Sequence, residues 1–142
     1  AAMAGARAIT MLLAAALLLV GAVMGSGQRM GLVGAPMEVS DNDEGVQRAV
    51  QFAMAEYNKA SNDKYSSRVV RVISAKRQVV SGMKYFLEVE IGRTTCPKST
   101  AGDLQSCEFH EEPEMAKYTK CSFVVYEIPW RNQIKLTKSS CE

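Results

Sequence analysis

The apolar positions change period along this chain. Val46, Ala49, Val50, Ala53, Met54 and Tyr57 recur in steps of three and four, which aligns them as one stripe of an α-helix. Gln47, Arg48, Gln51, Glu56 and Lys59 fall mostly outside the stripe. The cluster Ser40-Asp41-Asn42-Asp43-Glu44 reads as the helix start. Asp41 as N-cap with Glu44 three residues on resembles a capping box, and Ser40 and Asn42 are alternative caps. Acids here suit the positive end of the helix dipole. Gly45 is a weak helix former near the first turn. The helix is expected to end near Ala60, before Ser61-Asn62-Asp63.

Beyond the helix the period becomes two. Residues 68–80 are rich in Val, Ile, Arg and Lys. In 84–95, Tyr85, Leu87, Val89 and Ile91 share one face, while Lys84, Glu88 and Glu90 share the other. Phe86 is an apolar residue on the polar face. Residues 117–128 and 131–141 form a second strand pair. Between the pairs, 97–116 is polar, carries Pro97, Gly102 and Pro113, and reads as an excursion with a helical turn. Residues 26–37, with Gly27, Gly31, Gly34 and Pro36, read as a flexible arm. One helix followed by antiparallel hairpins predicts an α+β domain, its sheet wrapped across the helix stripe.

The first residues follow different rules. Arg7 precedes an apolar run from Ile9 to Val23, which ends in Gly25, Ser26 and Gly27. A basic start, a short apolar run and a small-residue end read as a secretory signal peptide, with Met3 as initiator and cleavage after Gly25. A membrane anchor is the rival, but the run is shorter than the roughly 20 apolar residues that a span needs. The expected domains are therefore a leader, 1–25, and a globular domain, 26–142. Cleavage would remove one cation, Arg7, and take the formal charge from +2 to +1. A nearly neutral chain gives no reason to expect a nucleic-acid partner.

The cysteines Cys96, Cys107, Cys121 and Cys141 all lie in the C-terminal half. An even count in an exported chain predicts two disulfides. Sequence does not choose among the three connectivities; local pairing closes the shortest loops and is preferred. No cysteine pair has structural-zinc spacing and His110 is the sole histidine, so no metal or cofactor is expected. His110 lies in Cys107-Glu108-Phe109-His110-Glu111-Glu112-Pro113 and reads as a surface loop residue, with Glu111 and Glu112 solvated. No activated thiol, phosphate loop or nucleophile elbow is present, so an enzyme is not expected. None of the four Asn-containing sites has the hydroxyl residue of a glycosylation sequon.

What remains is a binding surface. Gln78-Val79-Val80-Ser81-Gly82 sits where the first hairpin turns, and only Gly82 supplies ordinary turn chemistry. Branched apolar residues at a tip suggest a partner. Pro129-Trp130 falls between the last two strands, and tryptophan is enriched at binding hot spots; Trp130 folding back onto the core is the competing reading. Leu32-Val33-Gly34 lies in the arm. Two tips and an arm along one sheet edge would make a wedge suited to plugging a cleft.

Q-x-V-x-G at Gln78–Gly82, the Pro129-Trp130 pair, Leu32-Val33-Gly34, the leader and the four C-terminal cysteines together resemble the cystatins of the secreted, type 2 branch. The resemblance covers 26–142, and three separated motifs in order make it specific. It implies one long helix gripped by a five-stranded antiparallel sheet, with disulfides Cys96–Cys107 and Cys121–Cys141. It implies tight, reversible inhibition of papain-like cysteine proteases, including lysosomal cathepsins. In the family pattern Leu32 and Val33 fill the unprimed subsites, Gly34 lets the arm swing, and both tips enter the primed side. Ala35 stands where some relatives have a second glycine, which restricts φ in the arm.

In related type 2 inhibitors an asparagine after the helix enters the specificity pocket of legumain. That makes Ser61, Asn62 and Asp63 a candidate second site, against the plainer reading that Asn62 turns the chain. The runner-up function is a non-inhibitory module of the same fold. Strand exchange at the Val-rich tip, giving a domain-swapped dimer, is a further expectation.

Overall fold

The computed structural model describes residues 34–99 and 103–142. The chain divides into two units after Gly34, and the unit from Ala35 to Glu142 is the fold described below. The leader 1–25 and two of the arm residues, Leu32 and Val33, lie outside the described residues.

One helix, α1 (Glu44–Ala60), packs on a five-stranded antiparallel sheet of β1 (Met37–Glu38), β2 (Tyr65–Val80), β3 (Gly82–Pro97), β4 (Tyr118–Ile128) and β5 (Gln133–Cys141). The strands lie in sequence order, so each connection joins neighbours. The helix stripe is buried as its spacing predicts. Val46, Ala49, Val50, Ala53 and Met54 meet Tyr85, Leu87, Val89 and Ile91 of β3 and Phe123 and Val125 of β4, with Tyr57 packed partly against them. Full burial of a Val- or Leu-sized side chain is worth about 1.5–3 kcal/mol, so this stripe supplies most of what holds the helix to the sheet.

The helix cap differs from the sequence reading. Asp43 is the N-cap: its carboxylate accepts the Val46 amide at 3.1 Å and lies 3.6 Å from the Arg77 guanidinium of β2. The residue three past this cap is Val46, so no capping box forms. Ser40 and Asp41 serve the preceding turn instead, with Ser40 Oγ accepting from Asn42 and the Asp41 carbonyl accepting from Gln47 Nε2.

Both long strands extend beyond their apolar cores. β2 starts at Tyr65 because Asn58 of α1 exchanges two hydrogen bonds with the Ser67 backbone, and Thr94 Oγ1 donates to the Ser66 carbonyl. Register shifts at three places in β2 and one opposite β4 bend the sheet around α1.

Disulfides join Cys96 to Cys107 and Cys121 to Cys141, the local pairing. The first holds the excursion after β3 back against the sheet, where Phe109 bridges Thr94 and a 3-10 turn spans Leu104–Ser106. This packing corrects the reading of His110 as a surface residue. Its ring is 8% exposed, stacks edge-on to Tyr65 at 4.6 Å, and its Nε2 meets no hydrogen-bond partner among the described residues. Glu111 and Glu112 are exposed.

Candidate functional site

The first tip forms where β2 turns into β3. Val80 and Gly82 are the last facing pair, with Ser81 as the turn residue. Gly82 has φ +133°, and a Cβ there would lie 2.7 Å from the Glu127 carbonyl. Only glycine meets both demands, so the tip can turn tightly and press against the end of β4. Val79 is 57% exposed, whereas Gly82 is buried.

The second tip leaves β4 at Ile128. Pro129 opens a 3-10 turn through Arg131, with φ preset by its ring. Asn132 closes it in the left-handed region, φ 50°, and donates its amide to the Pro129 carbonyl at 3.1 Å. Asparagine tolerates that conformation better than most residues. Trp130 is 69% exposed and does not fold back onto the core.

The two tips sit side by side. Met83, one residue past the first turn, pairs with Glu127, two residues before Pro129. Tyr126 Oη donates to the Ser81 carbonyl at 2.6 Å and fastens one tip to the strand that carries the other. On the opposite flank, β1 runs antiparallel to β2 with Met37 facing Arg77, so Ala35 lies toward the Ser81 end. Met37 is 71% exposed. The structure thus gathers Val79, Val80, Ser81, Pro129 and Trp130 at one end of the sheet, with Ala35 toward that end on the β1 flank. Gln78 is half-buried in β2 behind the tip, and Gly34 is exposed.

The sequence reading missed Tyr126, Glu127, Arg48 and Met37 at this end. Only Tyr126 carried a signal: an aromatic on the outward phase of β4, an odd number of positions from buried Phe123 and Val125. The end is convex. The groove between α1 and β2, lined by Val50, Met54 and Val70 among others, lies elsewhere. No group of His, Cys, Asp and Glu among the described residues is arranged to hold a metal ion.

The second candidate site lies at the other end. Ser61 follows the helix as its C-cap, its Oγ accepting from the Asp63 amide, and its carbonyl accepts from Lys98 Nζ. Asp63 accepts from the Tyr65 amide at 2.9 Å and from Arg93 at 2.7 and 2.8 Å. Burial works to raise the Asp63 carboxyl; the Tyr65 amide and Arg93 outweigh it and hold the pKa below the usual value. Asn62 between them is exposed.

A family profile described as Cystatin domain matches residues 34–130, which takes in both tips and the whole helix. The chain belongs to the cystatin family. It is 76% identical over 140 residues to the protein named Cystatin of Gallus gallus, covering 99% of this chain and all of that one. It is 57% identical over 117 residues to Cystatin-C of Bos taurus, covering 82% and 78%. Among solved structures, dimeric human cystatin F superposes with a TM-score of 0.73 at 32% identity, covering 80% of this cystatin and 90% of that chain. Helix and strand order therefore belong to a cystatin fold, and the tips are positions on that fold.

Proposed function

We propose that this cystatin is a secreted, tight-binding, reversible inhibitor of papain-like cysteine proteases such as lysosomal cathepsins. It acts by seating its two tips and N-terminal arm in the active-site cleft. The observation that carries this reading is the pairing of exposed Val79 and Trp130 on adjacent tips that are fastened to each other. A wedge already ordered in the free protein loses little entropy on binding, and apolar tips displace water from an apolar cleft. The inhibitor escapes cleavage when no peptide carbonyl lies in attack geometry at the catalytic thiolate. Leu32, Val33 and Gly34 take the unprimed side in this reading, and Gln78–Gly82 with Pro129-Trp130 the primed side.

Two disulfides in a chain of this size, and an apolar N-terminal run with a small-residue end, support export. Titration of residues 26–142 into active-site-calibrated papain tests the proposal. One-to-one, reversible loss of activity is expected. No inhibition by a folded, disulfide-intact monomer would favour a non-inhibitory binding module. A dimer formed by strand exchange would open the Ser81 turn, so a purified dimer should lack papain inhibition.

A second reading concerns Asn62, which is exposed between two residues pinned by Arg93 and Lys98 at the end remote from the tips. Held this way, Asn62 presents a preset asparagine to an asparagine-specific protease, and we assign Ser61-Asn62-Asp63 to legumain. Asn62→Lys should abolish legumain inhibition and leave papain inhibition intact. Retained legumain inhibition would reduce Asn62 to a turn residue.

A further inference from the structure

The outer face of the sheet, turned away from α1, carries lysines that neither the core nor the tips use. In β3 and β4, Tyr85, Leu87, Phe123 and Val125 point inward, so Lys84, Phe86, Val124 and Tyr126 point outward. One outward row runs Lys76, Phe86, Val124, Lys138 across β2 to β5. The next row, toward the tips, runs Gln78, Lys84, Tyr126, Lys135. Lys138 is three positions beyond Lys135, which in a regular strand would put them on opposite faces. The register shift between Val124 and Val125 inserts Thr137, whose Oγ1 donates to the Val124 carbonyl, and both lysines emerge on the outer face.

Strands lie about 4.8 Å apart, so the lysines span roughly 14 Å in one row and roughly 10 Å in the other. Lys76, Lys135 and Lys138 are exposed; Lys84 lies with its ammonium 5.5 Å from the centre of the half-buried Phe86 ring. None of the four is in an ion pair among the described residues. The acids on this face are Glu38, directly opposite Lys76 on the edge strand, Glu88, one row farther from the tips than Phe86, and Glu90 beyond it, which is ion-paired with Arg71; none stands within the Lys84–Lys135 row. The chain as a whole has only two more cations than anions, so this concentration is local.

We propose that this face binds a sulfated glycosaminoglycan, laid across the four strands with its sulfates on Lys76, Lys84, Lys135 and Lys138. Charge complementarity favours a regularly spaced linear polyanion. Phe86, Val124 and Tyr126 lie half-buried between the lysines, so no exposed apolar side chain stands within the two lysine rows; exposed Ile73 lies farther from the tips, beside Glu88 and Ser122. The site is separate from the tips but shares Tyr126 with them, so bound polymer would lie beside the Ser81 turn.

The test is titration of the full chain with a size-defined heparin oligosaccharide at several salt concentrations. Releasing about 0.8 of a counterion for each of the four neutralised lysines predicts a log–log salt slope of about −3. Replacing Lys84 and Lys135 together by Gln should lower affinity at least about tenfold at low salt and flatten the slope by about 2. A control that loses the same charge at the other end, Lys59→Gln with Lys64→Gln, should bind as the parent does. Unfolding temperatures should stay close across all three proteins, because Lys59, Lys64 and Lys135 are exposed and Gln keeps most of the half-buried Lys84 stem. Desulfated heparin should not bind. Three results would each overturn the proposal: no binding at low salt, equal weakening by the control pair, or binding to phosphatidylserine vesicles as tight as to heparin and lost in the same variant.

Discussion

Arg48 of the helix holds Glu127 at the end of β4. Its Nε and a terminal guanidinium nitrogen reach the two carboxylate oxygens at 3.3 and 3.1 Å, and Glu127 is only 9% exposed. Ile128 follows directly and leads into Pro129-Trp130, so the helix braces the root of the second tip. Losing Arg48 would leave a buried carboxylate unpaired. Removing one partner of a fully buried pair costs about 3–5 kcal/mol. Because Arg48 is itself 54% exposed, water can replace part of what is lost. Arg48→Gln should therefore cost about 1–2 kcal/mol, lowering the unfolding temperature by roughly 4–12 °C in calorimetry. In the proposed inhibitor the same change should quicken dissociation from papain. Unchanged dissociation would mean that the tip keeps its position without the brace.

Gly45 and Tyr85 make a second long-range fit. A Cβ on Gly45 would stand 2.1 Å from Tyr85 Oη and 3.0 Å from Cζ. Alanine in a helix is favoured over glycine by about 1 kcal/mol, but overpacking a core costs about 1–3 kcal/mol. Tyr85 is 3% exposed and has nowhere to retreat, so the clash should win. Gly45→Ala is expected to destabilise in urea titration. In a Tyr85→Phe background the 2.1 Å obstacle is removed while Cζ at 3.0 Å and Asp43 Oδ2 at 3.1 Å remain, so Gly45→Ala should cost clearly less than in the parent. Equal effects in both backgrounds would show that the hydroxyl is not the obstacle.

These two pairs mark where the sequence stops being legible. The helix stripe and strand alternation are local, and burial obeys both: Val46 to Met54 and Tyr85 to Ile91 are where their periods put them. The cap was not decidable from Ser40 to Glu44, where several residues can cap, because Arg77 of β2 helps fix Asp43. Ser66 and Ser67 precede the 68–80 run that the sequence marks, yet are buried strand, since Asn58 and Thr94 satisfy their backbone. His110 sits among acids that suggest solvent, but the Cys96–Cys107 link folds its segment onto Tyr65. Both tips could be located because turn breaks and an isolated Pro-Trp interrupt the strand periods. The Arg48–Glu127 brace could not, because its partners stand 79 residues apart.

Trp130 should separate binding from stability. At 69% exposed it contributes little to the core, so Trp130→Ala should leave the unfolding temperature within about a degree or two of the parent. A truncated aromatic anchor commonly costs 2 kcal/mol or more of binding, about 30-fold in affinity. The loss should appear in the dissociation rate, with association nearly constant, because mutations within one interface act mostly on that rate. Stopped-flow association with papain and displacement kinetics read the two separately. An unchanged dissociation rate would show that the second tip is not a hot spot.

Asp63 sets an acid limit on the end that carries Asn62. Its folded pKa is held below the ordinary carboxylate value by the Tyr65 amide and Arg93, against the opposing effect of burial. A depressed folded pKa means that the unfolded chain binds the proton more readily. The resulting stability is fully present above the unfolded value of about 3.9 and is lost as pH falls through the lower, folded value. Denaturation midpoints should thus hold steady from pH 7 to about 5 with respect to this group and fall below about pH 4. Asp63→Asn keeps an acceptor for the Tyr65 amide but removes the charge facing Arg93. It should be less stable than the parent at neutral pH, and the gap should narrow as the medium is acidified. A constant gap across that range would show that the Arg93–Asp63 pair contributes no charge-dependent stability.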